Sequence, residues 1–141
     1  MSHSYDGGCH CGAIGFRFAT AIAPAHWSIR ACQCSFCRAH DALSTSDPAG
    51  HISFSAAEQA HLQRYRFGLR TADFLLCRQC GVYIGAVILI GERHYAIVNT
   101  HALATQPDDI AQTAPIEYNG EDIDGRVSRR EERWTPCTLD L

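Results

Sequence analysis

Cysteine is the residue type that most constrains what this chain can fold into. Eight cysteines occur in 141 residues, and seven of them lie in three short clusters. In chain order the clusters are C-x-C (Cys9, Cys11), C-x-C-x-x-C (Cys32, Cys34, Cys37) and C-x-x-C (Cys77, Cys80). Cysteines this close in sequence form disulfides only with strain, because the bond requires a defined Cα separation and torsion. A tetrahedral metal ion accepts such spacings, so the clusters predict metal sites.

The number of sulfurs predicts how the clusters combine. Two pairs together supply the four ligands of a closed structural zinc site, whereas the triple supplies three ligands and leaves one position open, as in catalytic zinc sites. We therefore expect two zinc ions per chain, one structural and one catalytic. The expected structural ligands are Cys9, Cys11, Cys77 and Cys80, and the expected catalytic ligands are Cys32, Cys34 and Cys37.

Other assignments of these cysteines stay open on the sequence alone. Both metals are structural if a fourth protein ligand, such as His40 or Cys137, closes the triple. An iron–sulfur cluster is a further alternative, although the spacings match no common ferredoxin pattern. A redox pair at Cys77 and Cys80 is disfavoured because no βαβ pattern surrounds it.

The composition excludes several classes of function. All 12 basic residues are arginine, and without lysine neither Schiff-base chemistry nor a pyridoxal phosphate anchor is available. The formal net charge of -3 becomes more negative when thiolates bind metal, which disfavours nucleic acid as a partner. The longest apolar run, 81–91, is too short to cross a membrane, and the first 20 residues show no secretory pattern. We therefore expect a cytoplasmic protein without a membrane partner.

The hydrophobic pattern has a period of two over most of the chain, which predicts an all-β fold with minor helix. Ser55 and Glu58 form a capping-box pattern that predicts a turn of helix at 56–61. The last two predicted strands form a hairpin that turns at Gly91-Glu92. The predicted strands are 14–18, 27–31, 51–55, 62–67, 71–76, 82–90 and 95–99.

No linker or repeat divides the chain, so residues 1–141 are expected to form one zinc-binding domain. From Thr105 onward the composition changes, and 105–141 is predicted to be a more polar C-terminal extension. Its charged run, 121–133, interleaves arginines with acidic residues, which predicts a solvated helix or an extended tail. The arginines in that run are Arg126, Arg129, Arg130 and Arg133.

The order of the cysteine motifs resembles a known family. G-x-C-x-C-G at 7–12, C-x-C-x-x-C-R at 32–38 and C-x-x-C-G at 77–81 are similar to the glutathione-dependent formaldehyde-activating enzyme family, also called the GFA or CENP-V domain. The resemblance spans about residues 5 to 100. It implies a zinc-containing, mainly β fold known as Mss4-like or β-tent. It also implies structural ligands in the two pairs and catalytic ligands in the triple, the same division that the sulfur count predicts.

The resemblance implies a carbon–sulfur lyase or synthase that acts on a thiol–aldehyde adduct, such as S-hydroxymethylglutathione formed from glutathione and formaldehyde. The open zinc would bind the thiol as its thiolate beside the aldehyde carbonyl. Arg38 is the candidate for pairing with a glutathione carboxylate, and His40 and His10 are the candidates for proton transfer. Residues 39–42 differ from the serine- and glycine-containing segment of many family members, which predicts a differently lined pocket.

Two other functions are compatible with the same cysteines. A non-catalytic zinc module that binds a protein partner predicts a closed triple and no dependence on thiols. A redox or metal sensor predicts that Cys137 is a reactive thiol. The three hypotheses differ in whether the triple faces open space and in where Cys137 lies.

Overall fold

The computed structural model describes residues 2–141, which fold into a mainly β structure with two α-helices. None of the helices in this range is long and apolar enough to cross a membrane. The helices are α1 (Ser35–His40) and α2 (Ile123–Arg133). The strands are β1 (His3–Gly8), β2 (Ile14–Thr20), β3 (Ile29–Cys32), β4 (Ser44–Thr45), β5 (His51–Ala56), β6 (Leu62–Tyr65), β7 (Asp73–Cys77), β8 (Tyr83–Ile90), β9 (Arg93–Asn99), β10 (Thr113–Ile116) and β11 (Thr135–Asp140).

The strands form one mixed, branched sheet. Its main path runs β1-β2-β5-β11-β9-β4-β3-β10, and β9 also pairs with β8, which continues to β7 and β6. Pairing is antiparallel except between β11 and β5 and between β10 and β3. The expected all-β fold with minor helix is confirmed.

Alternating burial explains the strands that the sequence predicted. In β2, Ile14, Phe16 and Phe18 are buried while Arg17 is exposed, so one face of the strand packs on the core. The apolar run in β8 is buried on both faces up to Ile88. A second hydrophobic cluster, on the β8 side of the sheet, includes Cys37, and it connects the core directly to the cysteine triple.

The hairpin prediction is confirmed, whereas the capping box is wrong. Ile90 pairs with Arg93, so Gly91 and Glu92 are the two turn residues, and Gly91 adopts a positive φ of 61°. Ser55 instead lies inside β5, where it pairs with β2, and only a 3-10 turn at Gln59–His61 follows. The backbone of Ser55 is therefore paired with β2, and no helix begins at this residue.

Residues 105–141 contribute β10, α2 and β11 to this architecture. The charged run 121–133 forms the mostly exposed helix α2, which agrees with the predicted solvated helix. After it the chain returns to the sheet, where β11 lies between β5 and β9. Thr135 is fully buried, and Trp134 and Cys137 pack into the hydrophobic clusters. These few apolar positions anchor a segment whose overall composition is polar.

Candidate metal centres and the adjoining pocket

The first cysteine cluster joins two tight turns from distant parts of the chain. One turn connects β1 to β2 and carries Cys9 and Cys11. The other connects β7 to β8: Cys77 is the last residue of β7, and Cys80 lies in the turn itself. Gly12 and Gly81, which follow the turns, both have a φ of +83°. Glycine adopts this left-handed conformation without a steric penalty, so the C-G ending of each motif is required by the turn.

The four sulfurs of this cluster lie within 4.8 Å of one another. A tetrahedral zinc with Zn–S bonds of about 2.3 Å requires sulfurs about 3.8 Å apart. The Sγ atoms of Cys9 and Cys11 are 3.7 Å apart, and those of Cys11 and Cys77 are 3.5 Å apart. The donor set therefore fits a zinc-sized ion.

Backbone amides support the sulfurs of the four-cysteine cluster. The Ile14 N–H donates to Cys9 Sγ at 3.4 Å, and the N–H groups of Gln79 and Cys80 donate to Cys77 Sγ at 3.3 Å. Such donors stabilise thiolates and orient them toward a metal. The backbone of both turns therefore supports the sulfurs as metal ligands.

The second cluster brings together Cys32, Cys34 and Cys37, whose sulfurs also lie within 4.8 Å of one another. Cys32 ends β3, Cys34 is the N-cap of α1, and Cys37 is buried within α1. Hydrogen bonds from the Cys32 and Cys37 side chains, and the N–H groups of Cys37 and Phe36, lower the pKa of Cys34 to about 2. This cluster has three cysteine ligands in close proximity and, within residues 2–141, no fourth metal-binding side chain at that range.

A pocket of about 260 Å³ opens beside the triple. It lies where the ends of β3 and β10, the first turn of α1, the loop after β6 and one face of α2 converge. Its wall is formed by Cys32, Cys34, Ser35, Phe67, Gly68, Glu117, Tyr118, Asn119, Arg126, Arg129 and Arg130. Two of the three sulfur-bearing residues therefore face open space, whereas Cys37 is held in the core.

Aromatic rings surround Phe36, the residue between Cys34 and Cys37 on α1. Phe36 stacks on Phe67 with ring centroids 5.0 Å apart and meets Tyr83 edge-on at 5.0 Å. The Tyr83 hydroxyl is buried without a hydrogen-bond partner, and burial raises the pKa of Tyr83 well above its ordinary value. Phe36 and Tyr83 lie in the same hydrophobic cluster as Cys37, the buried cysteine of the triple.

The other wall of the pocket is a cationic face of α2. Arg126, Arg129 and Arg130 are spaced i, i+3 and i+4, which places them on one side of a helix. Glu121 binds the first two: it accepts from Arg126 at 3.2 Å and from Arg129 at 2.7 Å. The Arg129 guanidinium also lies 3.6 Å from the centroid of the Tyr118 ring. The i, i+3, i+4 spacing of the arginines is visible in the sequence and predicts a shared helix face. The interleaved acidic residues favoured a fully solvated helix instead, so the sequence analysis did not predict that this face lines a pocket.

The structure places the remaining predicted site residues away from this pocket wall. Arg38 is exposed, and its Nε donates to the Gln33 carbonyl at 2.9 Å. His40 is exposed at the end of α1, with its ring 4.5 Å from that of Phe36. His10 lies between two cysteines of the four-cysteine cluster. Cys137 is buried in β11, where burial raises the pKa of its thiol to about 12, so it is neither a fourth ligand nor a readily ionised thiol.

Comparison with known proteins agrees with the geometry of the two cysteine clusters. A family model described as "Glutathione-dependent formaldehyde-activating enzyme" matches residues 4–118. The chain belongs to this family. A crystal structure of a Rhodobacter sphaeroides protein is similar, with 28% sequence identity and a TM-score of 0.61. That match covers 79% of this chain and 99% of the Rhodobacter chain.

The family match contains all seven clustered cysteines and ends before α2. The three arginines of the pocket wall consequently lie outside the segment that defines the formaldehyde-activating enzyme family. The cysteine half of the pocket is the part shared with the family, and the arginine half is contributed by the C-terminal segment of this chain.

Glu121 is expected to stabilise the pocket wall through its charge. The hydrogen bond from Arg129 lowers the pKa of Glu121 below its ordinary 4.5. Glu121→Gln is therefore expected to lower the free energy of unfolding at pH 7 by about 1.5 to 3 kcal/mol, the range for hydrogen bonds to charged groups. A carboxylate whose pKa is lower in the folded state stabilises the folded protein at pH values above its unfolded pKa. This contribution is lost as the pH falls through the folded pKa.

Urea unfolding at pH 7 and at a pH below the folded pKa of Glu121 measures this effect. The difference between Glu121→Gln and wild type should disappear at the lower pH. Glu132→Gln, an exposed substitution on the same helix, serves as the control and should change stability by less than about 0.5 kcal/mol. A pH-independent loss in Glu121→Gln would show that shape, not charge, is what Glu121 contributes.

Proposed function

We propose that this chain is a zinc-dependent carbon–sulfur lyase, acting as a synthase in the opposite direction, on a thiol–aldehyde adduct such as S-hydroxymethylglutathione. The observation that carries the proposal is the position of Cys32 and Cys34 on the wall of an open pocket. A purely structural site has no need of ligand access, whereas a catalytic zinc site keeps one position for its substrate. Membership of the formaldehyde-activating enzyme family supports glutathione and formaldehyde as the substrates.

In this proposal each cysteine cluster holds one zinc ion. The four-cysteine cluster is closed by its own ligands and staples the β1–β2 turn to the β7–β8 turn. Zinc bound at the triple would supply Lewis acidity that lowers the pKa of an incoming thiol. Cys37 anchors that site in the core, and Cys32 and Cys34 present it to the pocket. The protein would act in the cytoplasm, where its thiols stay reduced.

The proposed reaction balances without an oxidant or a reductant. In the synthetic direction the thiol loses its proton, its sulfur forms a bond to the aldehyde carbon, and the carbonyl oxygen gains a proton. In the lyase direction the hydroxyl loses its proton, the C–S bond breaks, and the sulfur leaves as a thiolate that is reprotonated. The protein's contribution is to hold sulfur and carbonyl together and to raise the thiolate fraction.

The residues on α1 that lie outside the pocket wall have a limited part in this proposal. Arg38 and His40 are both exposed, and they would contact only a portion of the ligand that extends past α1. For His40, proton transfer to solvent is the compatible role. Their substitution is therefore proposed to affect catalysis less than loss of a cysteine of the triple.

Purified protein is expected to contain two zinc ions per chain. Mild chelation should remove the zinc of the triple first, because its site has three protein ligands and opens to a pocket, whereas the other site is closed by four. Elemental analysis before and after chelation measures both quantities. One zinc per chain in freshly purified protein, or iron in its place, would contradict the assignment.

Exchange between glutathione and S-hydroxymethylglutathione tests the activity directly. Two-dimensional exchange NMR at equilibrium gives the rates of both directions at once, so the uncatalysed reaction in buffer can be subtracted. Zinc-loaded wild type should accelerate the exchange, and Cys34→Ser with its four-cysteine site still loaded should not. An exchange rate equal to that in buffer, with both zinc ions verified, would favour the non-catalytic zinc module.

A further inference from the structure

One charged side chain on the pocket wall is buried without an acidic partner. Arg130 is 7% exposed, and within residues 2–141 no carboxylate oxygen lies within 4.0 Å of its guanidinium, whereas Arg126 and Arg129 share Glu121. Its Nη1 donates to the Thr71 hydroxyl at 2.7 Å, and the guanidinium lies 4.7 Å from the Trp134 ring. Its Nε is buried with no hydrogen-bond partner.

This arrangement is costly for the protein alone. A buried charge without a counter-charge carries a desolvation penalty, and a guanidinium has five donors to satisfy. Burial, followed by repulsion from Arg129 and Arg126, lowers the pKa of Arg130 to about 10, so the group is still charged at neutral pH. The neutral Thr71 and Trp134 contacts offset part of this cost. An anionic group in the pocket would supply the missing counter-charge.

We propose that Arg130 binds a carboxylate of the thiol substrate, so that the pocket selects small thiols that carry a carboxylate. The inference rests on the proposed function, because it assigns the sulfur end of the ligand to the triple. The carboxylate end is assigned to α2, because Cys32 and Arg130 both line the same pocket.

The surroundings of Arg130 favour a carboxylate over a bulkier anion. The pocket measures about 260 Å³, just below the roughly 300 Å³ at which pockets for drug-sized ligands begin, so it suits a small thiol acid. Glu117 also lines the pocket, and Glu121 accepts hydrogen bonds from Arg126 and Arg129. The excess positive charge of the pocket wall is therefore small. A planar guanidinium matches a carboxylate in a bidentate pair.

Two thiols of equal length separate the sulfur anchor from the carboxylate anchor. The probes are 3-mercaptopropionate and 3-mercaptopropan-1-ol, which differ only in whether the end opposite the thiol is a carboxylate or a hydroxyl. Calorimetry with zinc-loaded full-length protein should show that wild type binds the carboxylate probe roughly 10- to 100-fold more tightly, the equivalent of one hydrogen-bonded charge pair. This comparison requires no substitution, so it does not depend on any variant folding.

Three arginine substitutions locate the carboxylate contact. Arg130→Met keeps an unbranched side chain beside Trp134 and removes the guanidinium, so it should abolish the preference while leaving the affinity for the neutral thiol unchanged. Arg130→Lys keeps the charge without the planar fork, and it should retain part of the preference. Arg93→Met is the matched control, because Arg93 is exposed at the start of β9 and outside the pocket, and it should behave as wild type.

The outcomes distinguish this inference from the proposed function. Equal binding of both probes by wild type, or an equal loss of both in Arg130→Met, would overturn the role of Arg130 and leave the lyase proposal standing. Loss of the preference in Arg38→Met but not in Arg130→Met would assign the carboxylate to α1 and overturn the inference. If neither thiol binds to protein with both zinc ions verified, the proposed function fails and this inference fails with it.

Discussion

Cys11→Ala is expected to unfold the protein at a temperature about 10 °C or more below that of wild type. Structural zinc contributes many kcal/mol to folding, and loss of one of four ligands forfeits a large part of this. We expect a loss of about 3 kcal/mol or more, and in a domain of this size each kcal/mol moves the melting temperature by about 2 to 8 °C. Thermal unfolding followed by circular dichroism, with zinc measured on the same sample, checks the result.

The location of Cys11 makes this substitution specific for the metal. Its side chain is exposed, so alanine leaves no cavity in the core, and any large loss reports the cross-link between two distant turns. Cys137→Ala is the control: it removes a buried thiol outside both clusters and should cost only the packing of one small side chain. Equal losses in the two variants would show that the four-cysteine cluster does not hold a stabilising metal.

Cys34→Ala is expected to remain folded and to lose catalysed exchange by more than about 100-fold. Substitutions in the outer shell of a metal already cost 10- to 100-fold, and Cys34 is itself proposed as a ligand that faces the pocket. Elemental analysis should show one zinc fewer per chain. Exchange NMR and thermal unfolding on the same preparation separate the loss of activity from any loss of fold.

Cys34→Ser controls for the second role of this residue. The Cys34 side chain caps α1 by accepting from the Cys37 N–H at 3.4 Å, and alanine loses this cap at a cost of about 0.5 to 2 kcal/mol. Serine is a good N-cap but provides no thiolate, so Cys34→Ser should recover the stability and not the activity. Activity retained in the serine variant, or a stability loss as large as that of Cys11→Ala, would contradict a catalytic role for the triple.

Local chemistry explains why the clustering of the cysteines could be predicted from the sequence. A C-x-C or C-x-x-C motif followed by glycine contains within a few residues the ligands and the turn that presents them, as Gly12 and Gly81 show at φ +83°. The β8–β9 hairpin at Gly91-Glu92 was predictable for the same reason, because the turn and both strand patterns are contiguous. The division of the seven cysteines into a group of four and a group of three was predicted from the number of ligands that zinc binds.

Strands without a strong pattern were missed because pairing partners, and not local sequence, define them. β4 has two residues and exists because it fits between β3 and β9. β11 follows a polar helix and becomes an inner strand because β5 and β9 leave a gap that its backbone hydrogen bonds can fill. In each case the stabilising groups come from parts of the chain distant in sequence.

The sequence by itself determined the grouping of the cysteines, the mainly β character and the family. Only the tertiary structure decided what surrounds the triple: it brought α2 across the pocket, buried Arg130 against Thr71 and Trp134, and left Arg38 and His40 exposed. The physical reason is the difference in the distance along the chain over which these interactions act. Metal ligation and turn conformation act over a few residues, whereas burial of a charge depends on which distant segment packs against it, and a polar run gives no sign of that until the chain is folded.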